Sequence, residues 1–252
     1  MTESVDLNCD MGESFGAWRM GNDAALMDHV TSVNIACGFH AGDPSTIRHT
    51  VQTAIQKKVA IGARPGYPDL QGFGRRNMSI ASEEVYDLVL YQVAALKGVC
   101  ESLGGRLHHV KPHGALYNQA AKSQELAAAI ASAVKDIDGS LIFYGGAGTS
   151  LITEAEKISL KTGSEVFADR TYQADGSLTP RRLANALISD TNVAVEQARR
   201  MVESGEVVSL DGHVVAVKAE TICIHGDGPN ALEFASALRQ AFGVAGISVE
   251  AL

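Results

Sequence analysis

Short runs of β-branched and apolar residues alternate along the chain with longer segments whose apolar positions recur every three to four residues. The short runs are Val5–Cys9, Ser32–Ala36, Val59–Ala63, Leu107–Val110, Ser140–Tyr144, Glu165–Ala168 and Glu220–Ile224. Most are apolar on both faces, the pattern of a parallel sheet covered by helices. The helical segments are Pro44–Lys57, Ser82–Leu103, Gln124–Asp136, Pro180–Ser189, Asn192–Ser204 and Pro229–Phe242. Asp43 before Pro44 makes a strong helix start, and Asp227 ahead of Gly228-Pro229 reads the same way. Gly104-Gly105 makes a good stop after Leu103. One stretch breaks the rhythm. Val207–Leu210 and His213–Val217 flank Asp211-Gly212, which predicts a hairpin.

Strand–helix alternation predicts an α/β architecture. Periodicity alone does not separate a closed (β/α) barrel from an open doubly wound sheet. Gly145-Gly146-Ala147-Gly148 follows a strand and precedes a helix, but it lacks GxGxxG spacing and the later acidic residue of a dinucleotide site. The 252 residues suit a single barrel domain, residues 1–252, decorated by the hairpin near 207–217. No low-complexity linker divides them.

Charge narrows the partners. The formal net charge of −8 repels phosphate backbones and anionic lipid heads, so neither nucleic acid nor a membrane is expected. No apolar run approaches a membrane span. Residues 1–10 carry no basic stretch followed by an apolar one, so no signal peptide is expected. The four cysteines, at 9, 37, 100 and 223, form no CxxC pair, which fits reduced thiols in a cytoplasmic protein.

Polar residues gather just after the strand ends. Asn8, Asp10 and Glu13 follow the first, His40 and Asp43 the second, Arg64 and Asp69 the third. Lys111, His113 and Tyr117 follow the fourth, Asp169 and Arg170 the sixth, His225 and Asp227 the last. In a barrel these positions converge on one rim, where active sites form. Asp6 and Asn8 alternate with Leu7 and share a face. If that face is the lumen, a buried Asp needs a cation opposite, and Lys111 and Arg64 are the candidates. Asp43 is first of all a helix cap. Cys9 and Cys37 read as inert core thiols, and of His108 and His109 at least one as a neutral packed imidazole. Asp10, His40 and His113 are types that suit a divalent metal, but no HxxxH or HExxH pair fixes a site, so a metal stays open. There is no GxSxG elbow and no P-loop.

Four blocks carry a resemblance: Asp6-Leu7-Asn8-Cys9-Asp10-Met11-Gly12-Glu13, Asn34–Asp43 around Gly38-Phe39-His40, Val110-Lys111-Pro112-His113-Gly114-Ala115-Leu116-Tyr117, and Phe167-Ala168-Asp169-Arg170-Thr171-Tyr172. Together they resemble the LamB/YcsF family, that of the A subunits of bacterial 5-oxoprolinase, from Val5 to about Phe242. The resemblance implies a distorted seven-stranded (β/α) barrel similar to polysaccharide deacetylases. It also implies work with partner subunits B and C, opening the lactam of 5-oxo-L-proline to L-glutamate with ATP going to ADP and phosphate. For that reaction Asp10 or His40 is assigned as general base and His113 as acid, with Lys111 beside them. Asn8, Glu13, Arg64, Tyr117, Asp169, Arg170 and His225 are the candidate substrate-binding set. Because substrate and ATP are anionic, Lys111, Arg64 and Arg170 are expected to reverse the acidic field inside the cleft. Two rival readings remain, a metal-dependent deacetylase and a non-catalytic substrate-binding subunit.

Overall fold

In the computed structural model, which describes residues 4–224 and 231–252, strand and helix alternate as the pattern predicts. The elements are β1 (Ser4–Met11), α1 (Asp23–Leu26), β2 (Ser32–Ala36), α2 (Pro44–Lys57), β3 (Ala60–Arg64), α3 (Ser82–Ser102), β4 (Leu107–Val110), α4 (Gly114–Ala120) and α5 (Gln124–Ile137). Then come β5 (Ile142–Gly146), α6 (Ser150–Lys157), β6 (Lys161–Phe167), α7 (Thr191–Ser204), β7 (Glu206–Val208), β8 (Val214–Ala216), β9 (Thr221–Ile224), α8 (Ala231–Ala245) and β10 (Ser248–Val249).

All the barrel pairings are parallel. They run β1-β2-β3-β4-β5-β6-β9, and β9 returns to β1, so seven strands close a barrel. β10 adds alongside the start of β1, pairing Ser4 with Ser248. Alternation along β1 divides two environments. Val5, Leu7, Cys9 and Met11 join the apolar layer beneath the helices, while Asp6, Asn8 and Asp10 bond across the lumen. Gly62 on β3 has no side chain for a packing reason: a Cβ there would run into the His109 ring.

Two local signals hold, the helix start at Asp43-Pro44 and the hairpin. Asp43 caps α2 by accepting from the Ser45 and Thr46 amides, and Pro44 opens the helix. The hairpin pairs β7 with β8 antiparallel, through a five-residue Ser209–His213 loop rather than a two-residue turn. Pro180–Ser189 is not a helix. Leu183 N and Ala186 N make only local turn bonds, to Pro180 O and Leu183 O, and other carbonyls go to tertiary donors: Arg170 donates to Ala186 O and to Thr179 O at the segment's edge, Thr171 N to Ala186 O, and Thr171 Oγ1 to Asn185 O. A helix would need those carbonyls for its own ladder, so the tertiary bonds override helical composition. Asp227 and His225 lie outside the described residues. No helix among the described residues is long and apolar enough to cross a membrane.

Candidate functional site

Four strand ends meet at a buried ionic lattice. Asp10, from β1, receives Arg64 Nη2 on Oδ2 at 2.5 Å, and on Oδ1 it receives Asn34 Nδ2 at 3.0 Å, with Lys111 Nζ 3.5 Å away. Arg64 closes β3 and also pairs with Glu13. Lys111, just past β4, reaches Glu165 Oε1 at 2.5 Å, Asn8 Oδ1 at 3.1 Å and Cys223 Sγ at 3.0 Å. Tyr117 donates to Glu165 Oε2 at 2.9 Å. Of the residues singled out in the sequence, the lattice therefore unites Asn8, Asp10, Glu13, Arg64, Lys111 and Tyr117.

Glu165, which the sequence pattern marks only as the start of a strand, anchors Lys111, Asn8 and Tyr117. The signal for it is a carboxylate beside the apolar run Val166-Phe167-Ala168, since a buried acid needs partners. Asn34 and Cys223 lie within apolar runs and stand out no more than their neighbours, yet both point from strands into this lattice.

Beside the lattice stand two stacked imidazoles. The rings of His40 and His113 lie 3.8 Å apart and 6° from parallel. Phe73 meets both edge-on, at 5.9 Å and 5.2 Å. Burial, then the nearby Arg64 charge, hold both imidazoles well below the usual histidine pKa. His113 Nε2 lies 2.6 Å from Phe73 O. A carbonyl only accepts, so Nε2 carries the proton and Nδ1 a lone pair. His113 Nδ1, both nitrogens of His40, Arg64 Nε and Tyr67 Oη are buried without a hydrogen-bond partner among the described residues. Groups so placed cost stability unless something else completes them.

Several expectations change here. Arg64 and Lys111 are matched by Asp10, Glu13 and Glu165, and Arg170 spends its guanidinium on backbone carbonyls as a strut. Burial draws the Arg170 pKa down to about 10. Asp169 sits beside Arg170, half-buried, its carbonyl held by Ile188 N. Asp6 faces no cation among the described residues. Four hydroxyls serve it instead, from Thr31, Ser32, Thr221 and Tyr144 at 2.6–3.0 Å. The thiols of Cys9 and Cys37 are buried, and burial pushes Cys37 to about 12. His109 is a neutral packed imidazole, stacked on Tyr144 and bonded to Asn34 Oδ1 at 2.8 Å.

A metal held jointly by His40 and His113 does not fit. Imidazole binds zinc at about 2.0–2.1 Å along the in-plane lone pair. Two nearly parallel rings stacked face to face share no such point. No group of three or more His, Cys, Asp or Glu among the described residues is disposed to hold a metal ion.

Known proteins place this arrangement. A Bordetella pertussis protein named as the A subunit of 5-oxoprolinase is 58% identical over 251 residues, covering 100% of both chains. A Bacillus subtilis protein of the same name is 55% identical, covering 98% of this chain and 96% of its own. The crystal structure of the lactam utilization protein from Thermus thermophilus superposes with a TM-score of 0.94 at 48% identity, over 99% of this chain and 100% of that one. A family 4 carbohydrate esterase from Streptomyces lividans matches with a TM-score of 0.50 at 12% identity, over 98% of this chain and 91% of that one, a likeness of fold alone. The fold is thus the seven-stranded barrel of the polysaccharide deacetylase type. The LamB/YcsF family profile matches residues 5–252, across every strand end that builds the site, and the chain belongs to the LamB/YcsF family.

Proposed function

We propose that the chain is the A subunit of an ATP-dependent 5-oxoprolinase. With subunits B and C, in the cytoplasm, it opens the lactam of 5-oxo-L-proline to L-glutamate while ATP becomes ADP and phosphate. The observation that carries this reading is 58% identity, over the full length, to a protein named as the A subunit of 5-oxoprolinase. The stacked neutral histidines beside a rigid ionic lattice support it chemically.

A lactam amide is resonance-stabilised and resists water. Transfer of the ATP γ-phosphoryl group to the lactam oxygen makes that oxygen a leaving group and releases ADP. Water then adds to the ring carbon and gives up a proton, and the ring nitrogen takes one as the C–N bond breaks. The resulting acyl phosphate is cleaved by a second water to carboxylate and phosphate. The proton steps suit His40 and His113, which are held neutral, and the His113 Nδ1 lone pair is ready to accept. Both oxygens of Asp10 are engaged by Arg64, Asn34 and Lys111, so Asp10 orders the floor of the site. Arg64 Nε remains a donor for developing negative charge.

The test is glutamate release and 5-oxoproline-dependent ATP hydrolysis by the chain assembled with B and C. His40→Ala and His113→Ala are each expected to lower kcat about 10²–10⁴-fold, the usual worth of a positioned acid or base. Asp10→Asn is expected to lower it too, by loosening Arg64. Near-wild-type rates in all three variants would overturn the assignment and favour a substrate-binding subunit.

A further inference from the structure

Two glycines pass close against the stacked histidines. At Gly74 a Cβ would lie 2.6 Å from His113 Cδ2 and 2.8 Å from His40 Cβ. Backbone bonds hold that residue: Gly74 N donates to Asp69 O, and Gly74 O receives Ala115 N, each at 2.8 Å. The other is Gly66, just past β3. A Cβ there would lie 2.6 Å from His40 Nδ1 and 3.3 Å from His113 Cβ. Its φ is not left-handed, so glycine is needed there for room. The carbonyl before it, Pro65 O, receives His113 N at 2.8 Å. This short loop therefore meets the ring of one histidine and the backbone of the other. Gly66 is held by a side chain. Gln92 is buried on α3, within the apolar stripe of Val85, Val89, Val93 and Leu96. Its Oε1 receives Gly66 N at 2.9 Å, and its Nε2 donates to Gly66 O and to Leu88 O, each at 2.9 Å. Burying an amide in such a stripe costs free energy that a leucine would not. Here the cost is offset by hydrogen bonds that go mainly to the residue abutting the His40 ring.

We propose that Gln92 is a positioning residue for proton transfer, holding Gly66 so that the His40 ring keeps its place against His113; this rests on the 5-oxoprolinase reading above. Gln92 acts at one remove: it bonds to Gly66, and Gly66 abuts the ring. Neither His40 nitrogen has a hydrogen-bond partner among the described residues, so packing orients that ring. Phe73 meets it edge-on at 5.9 Å, His113 faces it at 3.8 Å, and Gly66 closes on Nδ1. Releasing Gly66 removes one of the surfaces that set the ring. A base must sit within hydrogen-bond reach of the proton it takes, and a misplacement of about 1 Å can cost on the order of 100-fold in rate. The same close backbone excludes water from the rings, in keeping with the burial that holds both neutral.

The experiment measures kcat and KM for 5-oxo-L-proline in the complete complex with subunits B and C. Gln92→Leu, of similar bulk, removes the clasp. It is expected to lower kcat about 10–100-fold and to leave KM within about twofold. Gly66→Ala, which sets a methyl against His40 Nδ1, is expected to do the same. Gln92→Glu is the conservative variant. Protonated, its carboxyl offers an acceptor and a donor and restores the clasp; ionised, it offers only acceptors and repels Gly66 O. Burial raises a carboxyl pKa, so its kcat relative to wild type is expected to recover as pH falls from about 8 to about 6. A residue that only stabilised the fold would produce neither the split between kcat and KM nor this recovery. Wild-type kcat in Gln92→Leu, a fall carried by KM instead, or a Gln92→Glu ratio that is flat with pH overturns the role of Gln92 while the 5-oxoprolinase reading stands. Loss of folding in all three variants, read by circular dichroism, makes Gln92 structural and overturns that role as well. A wild-type complex that does not turn over 5-oxoproline overturns both.

Discussion

The barrel holds two polar regions of similar burial and opposite completeness. In the lower lumen, Asp6 takes four hydroxyl donors, and His109 Nε2 donates to Asn34 Oδ1 at 2.8 Å. Higher up, His40, His113, Arg64 and Tyr67 keep buried nitrogens or oxygens without partners among the described residues. Burial alone therefore does not distinguish structural from functional polar residues. A completed network specifies the packing of the lumen, whereas incomplete groups are tolerated at a cost of about 1–3 kcal/mol each. They make sense where a substrate is to complete them.

The largest test of this contrast is Asp6→Ala. It strips the acceptor from Thr31, Ser32, Thr221 and Tyr144 together, and the expected loss of stability is about 3–5 kcal/mol by denaturant unfolding. His40→Ala removes nitrogens that bond to nothing among the described residues, so its loss of stability should come from ring packing alone and stay below that of Asp6→Ala, while activity collapses. A His40 variant less stable than the Asp6 variant would break the comparison.

A smaller effect follows from pH. His40, His109 and His113 are held well below the ordinary value near 6.5, each chiefly by burial. Below that value the unfolded chain binds protons that the folded one refuses, so stability is fully present above about pH 6.5 and falls as pH drops toward the folded values. Each histidine contributes a slope of up to about 1.4 kcal/mol per pH unit. Unfolding midpoints measured from about pH 8 to about pH 5 should bend downward below about 6.5. His109→Gln would reduce the bend from the lower lumen, and a flat profile would show that the rings are not held neutral. The smallest effect is chemical. All four thiols are buried and raised by burial, so the native chain should consume no thiol reagent at about pH 8 and four equivalents once unfolded. Reaction of Cys223 in the native protein would mean that water reaches the lattice around it.

Local physics makes much of this molecule readable from the chain. Strand–helix alternation, the Asp43-Pro44 helix start, the Asp211-Gly212 hairpin and the inward face of Asp6, Asn8 and Asp10 all depend on residues close in sequence. So does the crowding of polar residues after each strand, which marks Asp10, His40, Arg64, Lys111 and His113. The choice between a closed barrel and an open sheet does not depend on near neighbours. It is decided by β9 returning to β1, which pairs Asp6 with Thr221 across 215 positions. Closure also decides which polar groups meet. It gives Asp6 hydroxyls in place of a cation, brings Glu165 to Lys111, and sets His40 face to face with His113. It makes Arg170 a strut that holds the carbonyls of Thr179 and Ala186. Pattern along a chain determines which face a side chain takes. Its partner is set by register and closure, which exist only once the strands are assembled.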